Sequence, residues 1–162
     1  MPIPDFVAEL RRHVGHSPLA LVGVTAVVVR DDEILLGHRS DTGALTPVTG
    51  IVDPGEEPAN AACREALEEA GVIIRAERLV WVHQIPRITY DNGDQSDYLD
   101  LTFRCSWHGG DPYPVDGEMS SVGWYRLEPA TLDRLDGDMR RRVALAVADH
   151  ADAIFEGGRD SA

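Results

Sequence analysis

Apolar and polar positions along this chain follow two periods, one helical and one extended. Residues 5–14 carry Phe6, Val7, Leu10 and Val14 at helical spacing, and Gly15 closes the run. Residues 19–29 form a dense β-branched stretch suited to a central strand. Asp31-Asp32 turns it, and 33–38 returns as a hairpin partner. Residues 46–52 read as short and extended. Pro58 opens a second helix at its first turn, where its missing N–H is not needed, and Gly71 supplies the left-handed position that ends it. Residues 72–85 and 98–107 read as strands on either side of a polar loop, 89–97, and 122–127 reads as a late strand. Val143, Val147 and Ile154 predict a C-terminal helix over 138–156. Strands interleaved with helices, plus a hairpin, predict the α/β class: a mixed sheet between helical layers. The chain shows no internal repeat and no low-complexity linker. Its 162 residues fit one domain, 1–162, with helical additions at 1–17 and 138–156.

Charge narrows the range of partners. With 28 acids against 15 bases the formal net charge is −13, a surface that repels polynucleotides and anionic membranes. The start of the chain lacks the basic-then-apolar pattern of a secretory signal, and the longest apolar run, 19–29, is too short to span a bilayer. The two cysteines are Cys63 and Cys105. Cys63 falls on the apolar side of the second helix and reads as a small buried thiol. These features predict an intracellular, reduced, cytoplasmic protein.

The chemistry concentrates in the second helix. At about 100° per residue, Glu65, Glu68 and Glu69 share roughly a quarter to a third of the circumference. Ala59, Cys63, Ala66, Leu67 and Ala70 take the opposite side, a small apolar face able to press on a sheet. Three carboxylates directed at one point repel one another unless a cation joins them or solvent screens them. Arg64 stands four residues before Glu68, a pairing distance on a helix. Thr49-Gly50 and Pro54-Gly55 precede the helix and predict a shaped loop.

The spacing across residues 50–72 is Gly50, five residues, Glu56, seven residues, Arg64-Glu65, two residues, Glu68-Glu69, one residue, Gly71-Val72. It resembles the Nudix box of the Nudix hydrolase superfamily. Two positions depart from the pattern: Ala66 replaces a bulkier aliphatic, which bears on packing, and Thr49 stands where many members have a second glycine. The resemblance implies an α/β/α sandwich. It implies a loop–helix–loop that binds Mg²⁺ (or Mn²⁺) and hydrolyses a small nucleotide: a nucleoside diphosphate linked to X, such as ADP-ribose or a dinucleoside polyphosphate, or a nucleoside triphosphate. By the same resemblance Glu65 and Glu69 ligate the metal, Glu68 ligates or serves as base, and the Thr49 carbonyl adds a ligand. Arg64 and Glu56 pair to hold the loop, with Gly50 and Gly71 shaping its ends. Glu118, in a late acidic loop, takes the place of a distal ligand or base. Arg39 is a candidate for phosphate or base contact, and a homodimer is the default assembly.

Other features compete. Asp41-Thr42-Gly43-Ala44 spells an aspartic-protease motif, but the polar Gly37-His38-Arg39-Ser40 directly precedes it where such enzymes have an apolar strand, so a loop turn is the better reading. Asp91-Asn92-Gly93-Asp94 lacks the acidic spacing of a calcium loop and reads as a turn. The six histidines show no close ligand spacing for zinc. Trp81, Tyr90 and Trp107 could stack a base, yet strand aromatics more often pack core or edge. Markers of substrate conflict: Pro86 lies 14 residues past Val72 and Tyr90 lies 18 past it. Two alternatives stand beside the hydrolase. One is a non-catalytic, nucleotide-binding regulatory relative, whose hallmark would be lost glutamates. The other is an isomerase-type relative, for which Cys105 is the thiol that could face the metal.

Overall fold

The computed structural model describes residues 3–157. The elements run α1 (Asp5–Val14), β1 (Leu19–Arg30), β2 (Glu33–Arg39), β3 (Leu45–Thr46), β4 (Val48–Ile51), α2 (Pro58–Ala70) and β5 (Ile73–Gln84). They continue with β6 (Ile88–Thr89), β7 (Gln95–Gly109), β8 (Met119–Arg126), α3 (Pro129–Leu132), α4 (Gly137–Val147) and β9 (Ile154–Phe155). The strands form one mixed sheet with the path β3-β2-β1-β7-β5-β9, to which β4 joins at β1, β6 at β7 and β8 at β2.

β1 is the centre of this arrangement. It lies parallel to β7 from Leu19↔Ser96 to Val29↔Ser106, and antiparallel to β2 through the Asp31 turn. β4 pairs antiparallel with β1 from Gly23↔Ile51 to Ala26↔Val48. Alternation sorts the β1 side chains between two cores. Val24, Ala26 and Val28 join Ala62, Ala66 and Ala70 of α2, whereas Val27 joins Val143 and Ala146 of α4. Both faces are therefore covered, which is why the run reads as continuously apolar. The alanine stripe of α2 is fully buried, so this helix sits close on the sheet and Ala66 suits the contact.

Several boundaries differ from expectation. Leu67, assigned to the sheet side of α2, is 53 % exposed; the buried stripe is rotated to take in Glu69 instead. Cys63 is half-buried and donates to the Ile74 carbonyl. The expected C-terminal helix over 138–156 is shorter. Asp136 caps α4 by accepting from the Met139 N–H at 2.8 Å, and the helix stops where Ala148 turns extended. Ile154 and Phe155 then pair in parallel with Trp81 and Val82. Val147 and Ile154 are seven residues apart, a spacing that a helix and an interrupted chain satisfy equally. The polar loop 89–97 narrows to a turn, because β6 pairs with the start of β7. In the expected N-terminal extension the helix is Asp5–Val14; Met1 and Pro2, like residues 158–162, lie outside the described residues. No described helix is long and apolar enough to cross a membrane.

Candidate functional site

The loop before α2 is held by one arginine. Arg64 donates through Nε and Nη2 to both oxygens of Glu56, at 3.0 and 2.9 Å. Its Nη1 donates to Glu65 and to Glu68, each at 3.0 Å, and Nη2 also reaches the Ile51 carbonyl. Glu56 in turn accepts from the Asp53 N–H at 3.1 Å. Bonding to Arg64 lowers the Glu56 pKa, and the same bonds raise that of Arg64. A planar guanidinium fork suits this five-way role. Gly50 has a separate reason to be glycine: a Cβ there would overlap the Glu65 carboxyl, which lies across it and accepts from the Ile51 N–H. At the other end Gly71 takes φ +68° and donates to the Ala66 and Leu67 carbonyls.

Glu69 belongs to a second group. It is only 2 % exposed and meets Glu118, with Glu65 and Asp116 near enough to act on it. Burial first, then the Glu118, Glu65 and Asp116 charges, push its pKa up to about 9. Burial and Asp116 also raise Glu118. The late loop is fixed to its surroundings at both ends. The Val115 N–H donates to the Glu69 carbonyl at 3.2 Å, the Ser40 N–H donates to the Glu118 carbonyl at 2.8 Å, and the Glu118 N–H donates to Asp116 at 2.9 Å. Glu118 Oε2 is buried with no hydrogen-bond partner. A buried carboxyl meeting a half-buried one, with one enclosed oxygen unpartnered, suits a hard divalent cation that shares one or two carboxylates with its other ligands.

The arrangement differs from three donors at one point. Glu68 is bound to Arg64 and more than half exposed, while Glu65 faces Arg64 and the backbone. No three His, Cys, Asp or Glu side chains among the described residues form a cation cage. The convergence instead joins α2 to the late loop through Glu69 and Glu118. Thr49 sits opposite Thr25 in the β1–β4 ladder, one residue before Gly50.

Two clefts meet here. One, about 620 Å³, is lined by Gly50, Glu65, Glu68, Glu69, Asp116 and Glu118. The other, about 740 Å³, shares Gly50 and Ile51 with it and also contains Thr49, Arg39 and Tyr90. Arg39 grips Asp41 through two bonds of 2.9 and 2.7 Å, which explains the Asp41-Thr42-Gly43 turn. Trp81 is core and Trp107 packs edge-on to Trp124; neither lines a cleft. Cys105 is sealed in the α2-side core, and burial raises its pKa. The sequence reading missed Asp100 and Arg142, which line the second cleft. Asp100 shares its strand parity with Ser96, Thr102, Arg104 and Ser106, so it reads from the sequence as part of a polar face, and no local signal marks its burial.

Metal-free stability should fall with rising pH. Glu69 has an ordinary value of 4.5 and a folded value of about 9, so the folded state binds more protons between those limits. The stabilisation is complete below the lower limit and is lost as pH climbs toward the upper one. Glu65 and Glu118 are raised too, with the same sign. In chelator, the melting temperature at about pH 8 should lie below that at about pH 6. Equal values would contradict the buried Glu69 carboxyl.

A family model for the NUDIX domain matches residues 20–146, and the chain belongs to the Nudix family. It is 30 % identical over 122 residues to the NAD-capped RNA hydrolase NudC of Shigella dysenteriae, covering 74 % of this chain and 44 % of that protein. It is also 30 % identical over 134 residues to the NudC of Chromobacterium violaceum, covering 78 % and 48 %. The chain thus spans about half the length of these curated relatives. Among solved structures, an ADP-ribose pyrophosphatase from Streptococcus suis superposes with TM-score 0.63 at 21 % identity, covering 84 % of this chain and 98 % of the other. A MutT NUDIX hydrolase from Burkholderia pseudomallei gives TM-score 0.56 at 27 % identity, covering 78 % and 98 %. Both carry the same mixed sheet between helices.

Proposed function

We propose that this chain hydrolyses a phosphoanhydride bond in a small nucleotide, a nucleoside diphosphate linked to X or a nucleoside triphosphate, with Mg²⁺ or Mn²⁺ as cofactor. The observation that carries the reading is the meeting of buried Glu69 with half-buried Glu118 in the acidic cleft, beside the Gly50 backbone. In this reading Glu65, Glu69 and the Thr49 carbonyl hold the cation and Glu68 lends charge at the rim. A bound divalent cation offsets the repulsion between acidic cleft and phosphates, and it draws charge from the phosphate oxygens. Arg64 and Glu56 fix the loop so that Glu65 lies across Gly50. Glu118 Oε2 takes the proton of the attacking water, since it is the oxygen without a partner.

The alternatives lack comparable support. A regulatory relative has no reason to keep Glu65, Glu68, Glu69 and Arg64 together. An isomerase thiol must reach the substrate, and Cys105 lines neither cleft. Two of the relatives are named for NAD-capped RNA and a solved structure for ADP-ribose; NAD itself and ADP-ribose are both nucleoside diphosphates linked to a further group. They belong first in a panel with Mg²⁺ or Mn²⁺, scored by nucleoside monophosphate or phosphate release. No turnover across the panel removes the reading. Within the panel, E118Q should lower kcat about 10²-fold or more with little change in KM, the signature of a lost proton acceptor. Full activity in E118Q takes Glu118 out of the mechanism.

A further inference from the structure

We infer that the second cleft is a nucleobase site in which the buried Asp100 carboxylate accepts from an amino group of the base. The inference rests on the proposed hydrolysis only for the position of the phosphates, which it sets in the neighbouring acidic cleft across Gly50 and Ile51.

The floor of this cleft is charged and buried. Arg142 is 1 % exposed and Asp100 2 % exposed, and their ion pair is 2.7 Å long. Arg142 also bonds Thr25 and, through Nε and Nη2, Asp138 at 3.0 and 2.8 Å. Asp100 accepts from Thr25 at 3.0 Å through Oδ1 and from Thr102 at 2.8 Å through Oδ2. A carboxylate offers roughly four acceptor positions, so Oδ2 retains capacity for one more donor. A buried ion pair contributes little net stability compared with apolar packing, so its place at a cavity floor calls for a further reason. Gly23, directly opposite Asp100 in the sheet, keeps that floor open. A Cβ there would stand 3.5 Å from Asp100 Oδ1 and 3.6 Å from the Tyr98 ring.

The walls select the ligand. Ile85, Ile88, Tyr90 and Tyr98 offer apolar and aromatic surface, and the two tyrosine hydroxyls bond each other at 2.9 Å. The cations at this cleft are already matched: Arg11 by Asp94 and backbone carbonyls, Arg39 by Asp41, Arg142 by Asp138 and Asp100. Asp91 adds further negative charge. A second phosphate group finds no free counter-charge here. A neutral, flat ring with a donor at its edge satisfies both wall and floor.

The test uses full-length protein and nucleoside diphosphate sugars that differ only in the base. Wild type should favour the amino-bearing bases adenine, guanine or cytosine over hypoxanthine and uracil by about tenfold or more in kcat/KM. D100N should erase that preference through KM, with kcat within about threefold of wild type. G23A adds only an ordinary van der Waals contact. It should raise KM for the preferred base about tenfold and keep the wild-type melting temperature. No preference in wild type, or an unchanged preference in folded D100N, overturns the assignment. An equal KM rise for every base also overturns it, since that marks a sugar hydroxyl as the donor. If D100N does not fold, G23A decides, and an unchanged KM there overturns the inference. If wild type hydrolyses none of the series, the nucleoside-diphosphate-linked half of the proposed function has failed. Calorimetry then decides the base site alone, AMP binding more tightly than IMP supporting it and equal binding overturning it.

Discussion

E69Q should lose about a thousandfold in turnover while melting, without metal, at or above the wild-type temperature near pH 8. Activity and stability move apart because they draw on different properties of one side chain. The carboxyl is 2 % exposed, and its pKa is pushed to about 9 by burial and by Glu118, Glu65 and Asp116. Keeping an ionised group there costs the fold free energy, and an amide of nearly the same shape removes that cost. The amide also keeps a donor toward Glu118. It cannot carry the negative charge that holds a cation, so the Mg²⁺ dependence should shift to much higher concentration. The melting temperature of E69Q should also respond less to pH between about 6 and 8 than that of wild type. Calorimetric Mg²⁺ titration, steady-state rates and melting curves at both pH values check the three parts. Wild-type turnover in E69Q dismisses the metal assignment, and a large loss of stability dismisses the account of the buried carboxyl.

The parts legible in the sequence are those whose physics is local. The β1 run, its Asp31 hairpin and the α2 boundaries at Pro58 and Gly71 depend on periodicity, φ preference and missing donors within a few residues. The Arg64–Glu56 pair was legible only through the family resemblance, because a contact between loop and helix eight residues apart is not set by helical geometry. The meeting of Glu69 with Glu118 was only half legible. The wheel placed Glu69 with Glu65 and Glu68, but the sheet turns α2 until Ala62, Ala66 and Ala70 lie flat, and that rotation buries Glu69 and exposes Leu67. A rotation of this kind is set by tertiary packing. Arg142 was invisible for a related reason. It sits in a run of three arginines that resembles a solvated face, and its burial depends on Asp100 and Thr25, far away in sequence. The end of α4 was lost because heptad spacing persists beyond the chain's departure from the helix.

R64K should lower kcat/KM by about 10–100-fold, although charge is conserved. Lysine can neutralise one or two of the carboxylates around it. It cannot give Glu56 two parallel bonds, reach the Ile51 carbonyl and still donate to Glu65 and Glu68, all of which Arg64 does within 2.9–3.0 Å. Released from the fork, Glu56 no longer fixes the Asp53 N–H, and Glu65 loses the bond that holds it across Gly50. The damage is then positional. Glu65 and the Gly50 backbone drift relative to Glu69, whose place is set by the α2 core and is unaffected. Global stability should change little, because Arg64 and Glu68 are partly solvated and such pairs contribute modestly. The discriminating comparison is with E68Q, which removes one exposed acceptor and leaves the fork on Glu56 intact. If loop geometry governs activity, R64K falls well below E68Q and its Mg²⁺ dependence broadens. If total charge governs instead, R64K matches wild type and E68Q is the weaker enzyme.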